Sequence, residues 1–154
     1  MKALLILLLA TATAAQAQYQ FVTSSGTATI TGYAGTGGVV RIPEVINGLP
    51  VTCIGNEAFY GCTNLTCVTV PESVAVIGDW AFYDCSSLTN LAICNSVVRV
   101  GNWAFHHCLS LPGITVGTNV TSLGNWAIAH DSGTNAATLH GSQAKRQDRK
   151  PGIR

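Results

Sequence analysis

The sequence predicts a solenoid, in which short and similar coils stack one on another, and three observations indicate it. One phrase recurs: IGNEAFYGCTNL begins at Ile54, IGDWAFYDCSSL at Ile77, VGNWAFHHCLSL at Val100 and a decayed LGNWAIAHDSGT at Leu123. Each copy begins 23 residues after the previous one, and a fixed period of about 20 to 50 residues is typical of stacked repeats. The apolar residues of the copies fall in register, and a strand pattern recurs within each copy.

The first element is a predicted signal peptide, residues 1–17. Lys2 gives a charged start, residues 3–10 are apolar, and Ala15-Gln16-Ala17 is an A-x-A cleavage site. The apolar run is much shorter than the roughly 20 residues that a membrane helix needs; a buried N-terminal helix is the alternative. We therefore expect a secreted or cell-surface protein without a transmembrane segment.

Residues 18–38 are predicted to form an N-terminal cap. The stretch from Tyr19 to Tyr33 has β-forming residues on both sides of Ser24-Ser25-Gly26, which indicates a β-hairpin. Such a hairpin would cover the first coil, as a solenoid requires at its ends.

Residues 39–130 are predicted to form the repeat array. One unit of this length cannot bury its apolar residues alone, whereas stacked units can, because each residue rests on its counterpart in the next coil. The apolar columns are Ile54, Ile77, Val100 and Leu123; Ala58, Ala81, Ala104 and Ala127; Phe59, Phe82, Phe105 and Ile128; Leu65, Leu88 and Leu111; Val68, Leu91 and Ile114; Val70, Ile93 and Val116; and Val74, Val97 and Val120.

A strand pattern within each coil identifies the kind of solenoid. The segments LTCVTVP (65–71), LTNLAIC (88–94) and LPGITVG (111–117) each have the form L-x-x-L-x-L with other aliphatics allowed. That form, with a period between about 20 and 29 residues, is typical of leucine-rich repeats. The segment NEAFYGC suits a short helical or 3₁₀ turn on the opposite side. We therefore predict a leucine-rich repeat solenoid, α/β or mainly β, with a short parallel strand and a helical or 3₁₀ turn in each coil.

The combined pattern I-G-x-x-A-F-x-x-C-x-x-L-x-x-V-x-[IV]-P resembles the BspA-like class of bacterial surface leucine-rich repeats. The resemblance covers roughly Val39 to Leu123. It implies an extracellular or cell-surface protein whose array serves adhesion or protein recognition without catalysis. The chain departs from the pattern where Cys94 and Gly117 replace Pro71, and in having fewer coils than such arrays usually have.

Residues 131–154 are predicted to be a disordered basic tail, because periodicity ends after Ile128 and the last ten residues hold most of the positive charge. The array would then lack a C-terminal cap. A structural protein, or a truncated remnant of a longer repeat protein with no ligand of its own, is therefore the alternative to a binding module. The rest of the mature chain is mildly acidic and has no electrostatic footprint for nucleic acid.

Six cysteines in an exported chain favour a disulfide framework, but the repeat argues otherwise for three. Cys62, Cys85 and Cys108 share one column, so neighbours would lie about 4.8 Å apart. Three in a row cannot all pair. We expect free, buried thiols that pack as small hydrophobes, and a disulfide within the column is the alternative.

Two surface groups are candidates for binding an extracellular protein or glycan. Trp80, Trp103 and Trp126 occupy the position of Glu57 and would form a line on the outer surface. Exposed aromatic rows can anchor protein partners or stack on sugars; alternatively the indoles stack on one another and shield the turn. The outward strand face offers a second group, small and without aromatic or arginine anchors. Its members are Thr69, Asn90 and Thr115.

Little in the sequence indicates chemistry. His106 and His107 beside Cys108 lie at variable positions and lack the spacing of a metal site. The sequence has no nucleophile elbow, phosphate loop or paired-carboxylate motif. We expect a non-catalytic binding or adhesion module without cofactor or metal.

Overall fold

The structure, a computed structural model of the chain, describes residues 16–128 and the backbone of residues 137–139. The first 15 residues of the expected signal peptide lie outside the described residues, as does the predicted tail apart from residues 137–139. The strands are β1 (Tyr19–Ser24), β2 (Thr27–Tyr33), β3 (Gly38–Arg41), β4 (Val45–Ile46), β5 (Leu49–Ile54), β6 (Leu65–Thr69), β7 (Val76–Ile77), β8 (Asn90–Ala92), β9 (Arg99–Val100), β10 (Ile114–Val116), β11 (Ser122–Leu123) and β12 (Ala137–Leu139).

The predicted hairpin cap is present. Strands β1 and β2 are antiparallel, and both turn residues, Ser25 (φ 51°) and Gly26 (φ 76°), are left-handed. Two left-handed central residues define the type I′ turn, whose twist matches that of the strands it joins. Strand β2 then pairs in parallel with β5, so the cap covers the first coil. Ile30 of β2 is fully buried against it.

Parallel ladders run along the stack. Strands β5, β7, β9 and β11 form one ladder, and strands β3, β6 and β8 form a second. In the first, Ile54 faces Ile77, and Val100 faces both Ile77 and Leu123, so each step advances by one repeat. The predicted coil of 23 residues is therefore confirmed.

The helical turn predicted after each glycine is wrong. Between residues 18 and 128 the backbone has no α- or 3₁₀-helix. Each of the first three turns has two left-handed residues. The first is Glu57 (φ 59°), Trp80 (φ 52°) or Trp103 (φ 56°), with Trp126 (φ 55°) in the fourth turn, and the second is Gly61 (φ 66°), Asp84 (φ 56°) or His107 (φ 60°). A left-handed residue cannot continue a right-handed helix. The amides bond instead to the next coil, as where Phe59 donates to the Ala81 carbonyl at 2.7 Å and Phe82 to that of Ala104 at 2.8 Å. The turns thus form a third stacked side.

The core follows the predicted columns closely. Phenylalanine stacks on phenylalanine from coil to coil, with ring centroids 4.8 Å apart for Phe59 and Phe82 and 5.3 Å apart for Phe82 and Phe105. Three column members are only partly buried but pack against the core: Leu91, Ile93 and Leu123.

A ladder of polar side chains fixes the start of each turn. The Asp79 amide donates to Asn56 Oδ1 at 2.9 Å, the Asn102 amide to Asp79 Oδ1 at 2.7 Å, and the Asn125 amide to Asn102 Oδ1 at 2.8 Å. The preceding glycine lets the coils approach, since a Cβ on Gly101 would lie 2.5 Å from the Asp79 amide nitrogen.

The six cysteines are free thiols in the structure. Cys85 and Cys108 are buried and donate S–H hydrogen bonds to the carbonyls of Phe59 and Phe82, each at 3.2 Å. A hydrogen bond with Cys108 and burial both raise the pKa of Cys85, and burial raises the pKa of Cys62. The column thus behaves as packing, as expected from its register.

The structure differs from the expected disordered tail at residues 137–139. Strand β12 pairs in parallel with β10, with Ala137 opposite Ile114. At these residues the chain therefore adds a further strand to the stack. The repeat phrase of the sequence does not extend to these residues and did not predict this strand.

Candidate functional site: an aromatic groove

Each turn brings two surface positions side by side. The Tyr60 amide donates to the Glu57 carbonyl at 3.0 Å, and the Tyr83 amide to the Trp80 carbonyl at 3.1 Å. These i to i+3 bonds return the chain to the same surface three residues after the left-handed position. Stacking the coils then produces two rows. We call Glu57, Trp80, Trp103 and Trp126 the tryptophan row, and Tyr60, Tyr83 and His106 the tyrosine row.

Members of both rows line an open groove of about 620 Å³. The lining residues are Glu57, Tyr60, Trp80, Tyr83 and Trp103. Four are aromatic and one is a carboxylate, so the groove offers ring surface with a single charge. A concave site rich in aromatic side chains and holding a few polar groups is the usual form of a binding site.

The tyrosine row forms a continuous wall. The rings of Tyr60 and Tyr83 lie 5.1 Å apart at an angle of 7°, and those of Tyr83 and His106 lie 5.6 Å apart at 10°. His107 also stacks on Tyr83, at 5.2 Å. The row ends at an exposed ring, Tyr60, and at a buried one, His106. Each tyrosine is therefore held by its neighbour.

The tryptophan row, by contrast, is interrupted. Trp103 and Trp126 stack at 5.6 Å and 18°, and Trp103 meets His106 edge-on at 4.7 Å. Among the described residues Trp80 has no ring partner, and its side chain is 38% exposed. Mutual shielding, one of the two sequence hypotheses, thus fits Trp103 and Trp126 but not Trp80.

The backbone of this row is strained. A left-handed conformation costs a non-glycine residue roughly 1–2 kcal/mol, because Cβ comes too close to the following carbonyl oxygen. Three successive coils nevertheless place tryptophan there. Strain of this kind persists where the surrounding structure enforces it, and it clusters at functional sites.

The electrostatics of the groove are one-sided. The carboxylate of Glu57 is exposed at one end of the lining, and the lining contains neither lysine nor arginine. Aromatic rings present negative faces. The groove therefore attracts groups with positive or hydrogen-donating character.

The structure separates the two predicted surface groups. Trp80 and Trp103 line the groove, and Trp126 stands exposed beyond it, stacked on Trp103. The strand group lies on another side of the coil. Its members Thr69, Asn90 and Thr115 belong to β6, β8 and β10 and take no part in the groove lining.

Sequence reasoning missed Glu57, Tyr60 and Tyr83 as parts of the site. Glu57 appeared only as the residue that tryptophan replaces, and Tyr60 and Tyr83 were not singled out. The missed signal is the spacing W-x-x-Y, because an i to i+3 turn places those two rings together.

Metal chemistry finds no support in the described part of the chain. Among residues 16–128 no group of three His, Cys, Asp or Glu side chains could hold a metal ion. His106 and His107 instead stack on each other, at 4.5 Å. No helix in the described segments is both long and apolar enough to cross a bilayer.

Solved structures similar to this chain are bacterial leucine-rich repeat proteins. A T. pallidum leucine-rich repeat protein matches with a TM-score of 0.65 and 30% identity over 72% of this chain and 64% of its own length. One from Bacteroides capillosus matches with a TM-score of 0.63 and 32% identity, covering 81% of this chain and 94% of that protein. One from Bacteroides ovatus matches with a TM-score of 0.55 and 28% identity over 71% of this chain and 36% of its own.

A search of curated proteins found no match. The profile of the BspA type leucine rich repeat region matches residues 41–145 with six copies. The repeat phrase, the stacked ladders and these matches agree. The chain belongs to the BspA-type leucine-rich repeat family.

Proposed function

We propose that this protein is a secreted or cell-surface binding module, without catalytic activity, that recognises an extracellular partner through the aromatic groove and so serves adhesion. The observation that carries the proposal is Trp80: it is exposed, has no ring partner among the described residues and sits in a strained conformation beside Tyr83. Glycine would adopt that conformation more easily. Tryptophan nevertheless occupies this position, although its side chain makes the left-handed backbone energetically unfavourable.

The composition of the groove supports a binding role. Tryptophan and tyrosine are enriched among the few interface residues that supply most of the binding energy. The groove is also pre-organised, because the Trp80 and Trp103 amides donate to carbonyls of the next coil, each at 2.9 Å. A rigid site loses little conformational entropy when it binds.

A structural role without a ligand is the second candidate. The outward strand face favours it, since Thr69, Asn90 and Thr115 are neither aromatic nor charged, and the one arginine beside them among the described residues is Arg41, which pairs with Thr69 at the β3 edge. In that case the tryptophans would contribute only to stability.

Binding of the full chain to immobilised extracellular-matrix proteins and polysaccharides tests the proposal. For any ligand that wild type retains, we expect Trp80→Ala to weaken binding by at least about tenfold, the loss typical of an interface hot spot. Thr115→Ala, a matched change on the exposed strand face, should have no effect. If Trp80→Ala binds every ligand as wild type does, the groove is not the binding site and the structural role is favoured.

A further inference from the structure

We propose that the groove receives an arginine side chain of a protein partner, with the guanidinium packed against Trp80 and Trp103 and bonded to Glu57. This inference rests on the proposed binding function and names the chemistry of the partner. It depends on three features: a break in the stacking of the tryptophan row, the charge one coil before Trp80 in the same groove, and the shape of the group that would bind there.

The break lies between Trp80 and Trp103. Other aromatic pairs in adjacent coils stack, from 4.8 Å for Phe59 and Phe82 to 5.6 Å for Trp103 and Trp126. Trp80 and Trp103 occupy the same column in adjacent coils, yet they make no stacked pair, and both line the groove. The indoles of Trp80 and Trp103 therefore both border the open groove, where a flat group can pack against them.

The charge of the groove selects a cation. Glu57 precedes Trp80 by one coil in the tryptophan row, and every lining residue is aromatic or anionic. Residues 16–128 contain five carboxylates, Glu44, Glu57, Glu72, Asp79 and Asp84, and two cationic side chains, Arg41 and Arg99. Both ring faces and carboxylates attract cations, so a cation is favoured by all five lining side chains.

Arginine fits better than lysine or a sugar. Its guanidinium is planar, stacks on aromatic rings and is weakly hydrated, whereas a lysine ammonium is a strongly hydrated point charge. The guanidinium can also donate two parallel hydrogen bonds to a carboxylate such as that of Glu57. A neutral sugar could stack on Trp80 but would make no use of the negative charge.

Short peptides provide the test. The tryptophan fluorescence of the full chain would be titrated with acetyl-Gly-Arg-Gly-amide and with matched peptides that carry citrulline or lysine. Citrulline keeps the planar shape of arginine but has no charge. We expect the arginine peptide to bind about tenfold more tightly than the citrulline peptide, the ratio typical of a cation between aromatic rings, and more tightly than the lysine peptide.

Variants of the full chain test which residues bind the arginine peptide. Glu57→Gln should weaken arginine binding by about tenfold, as loss of a charge-assisted pair does, and should leave citrulline binding unchanged. Glu72→Gln, an exposed carboxylate outside the groove, should change neither. Trp80→Gly, which suits the left-handed backbone, should abolish the titration in a folded protein.

Three results with the peptides would overturn the inference. The first is equal affinity for arginine and citrulline, the second is insensitivity to Glu57→Gln, and the third is absence of any titration by the arginine peptide. An oligosaccharide that binds with dependence on Trp80 would overturn the arginine assignment while supporting the proposed binding function. If Trp80 variants bind every tested ligand as wild type does, the proposed function fails as well.

Discussion

At Trp80 the left-handed backbone favours glycine, whereas the proposed binding role requires the indole side chain. Replacing Trp80 by glycine should relieve a left-handed strain of roughly 1–2 kcal/mol and remove a ring that has no stacking partner among the described residues. Part of that gain is offset because glycine makes the unfolded chain more flexible. Trp80 is only 38% exposed, so its replacement also loses buried apolar surface. We expect the free energy of unfolding of Trp80→Gly, measured by urea denaturation, to fall below that of wild type, but by less than the loss of burial alone would cost.

Trp103 provides the matched control for that substitution. Its φ is similar, 56° against 52°, but its ring stacks on Trp126 and meets His106. Trp103→Gly should therefore be less stable than Trp80→Gly by about 1 kcal/mol, the value of an aromatic pair. Equal effects of the two substitutions would mean that Trp80 has a structural role that its contacts do not reveal.

Cys85 should make the fold sensitive to alkaline pH. Its pKa in the folded state is raised above the ordinary 9.0 by the hydrogen bond with Cys108 and by burial. The unfolded chain therefore loses this proton first. The stabilisation is fully present below about pH 9 and is lost as pH rises toward the folded-state pKa, by up to about 1.4 kcal/mol per pH unit.

Urea denaturation between about pH 8 and pH 10 checks the expected loss, since Tyr19, whose pKa is raised to about 12, contributes only above that window. Cys85→Ala should reduce the slope of the pH profile but not abolish it, because burial also raises the pKa values of Cys53, Cys62 and Cys94. A wild-type profile as flat as that of the variant would contradict the assignment of the raised pKa to Cys85.

At the scale of the coil, the hydrogen bond that Asp79 accepts in the polar ladder should contribute more to stability than the negative charge of Asp79. Asp79 accepts a hydrogen bond from the Asn102 amide, and asparagine fills the same position in the neighbouring coils. Asp79→Ala should lower the free energy of unfolding by about 1–3 kcal/mol, the cost of leaving a partly buried donor without its partner. Asp79→Asn, which keeps Oδ1, should cost much less. Thermal denaturation of both variants tests this, and similar losses would assign the effect to charge.

Strands were predictable where burial is periodic, and turns were not. The columns of Ile54 and Leu65 mark strands because one face must be apolar in every coil. The NEAFYGC segment suggested a helix because its residues tolerate one. Its first left-handed position is occupied by Glu57 or tryptophan. Glycine, which normally marks that conformation, fills the second position only once, as Gly61, and is followed there by Asp84 and His107 in the next two coils. The backbone hydrogen bonds between coils enforce this left-handed conformation, and they cannot be inferred from the helix propensity of the residues.

The sequence predicts one of the two rows of the candidate site but not the groove, because the groove depends on the conformation of the turns. The tryptophan row is visible as one column of the repeat. The groove, however, arises between two columns, and only the turn conformation tells which columns are neighbours. Tyr60 and Tyr83 therefore could not be assigned to the site without the three-dimensional turn. The break in stacking between Trp80 and Trp103 depends on side-chain placement, which column analysis does not contain.

Over the whole molecule, each coil contacts its immediate neighbours, so stability is approximately a sum of coil and interface terms. The hairpin cap supplies one such interface: the Ile30 carbonyl accepts from the Gly55 amide at 2.7 Å, and the Ile30 side chain is fully buried. Ile30→Ala should therefore lower the free energy of unfolding by about 2–5 kcal/mol. Val22→Ala, on the exposed side of the same hairpin, should have little effect.

The location of the tryptophans makes this last prediction informative about cooperativity. Trp80, Trp103 and Trp126 lie in successive coils beyond the one that the hairpin covers. If the stack unfolds as one unit, Ile30→Ala shifts the near-ultraviolet circular dichroism transition of these distant indoles by as much as the far-ultraviolet transition of the backbone. If the two transitions separate, the cap frays alone, and the coils that carry the groove are stable without it.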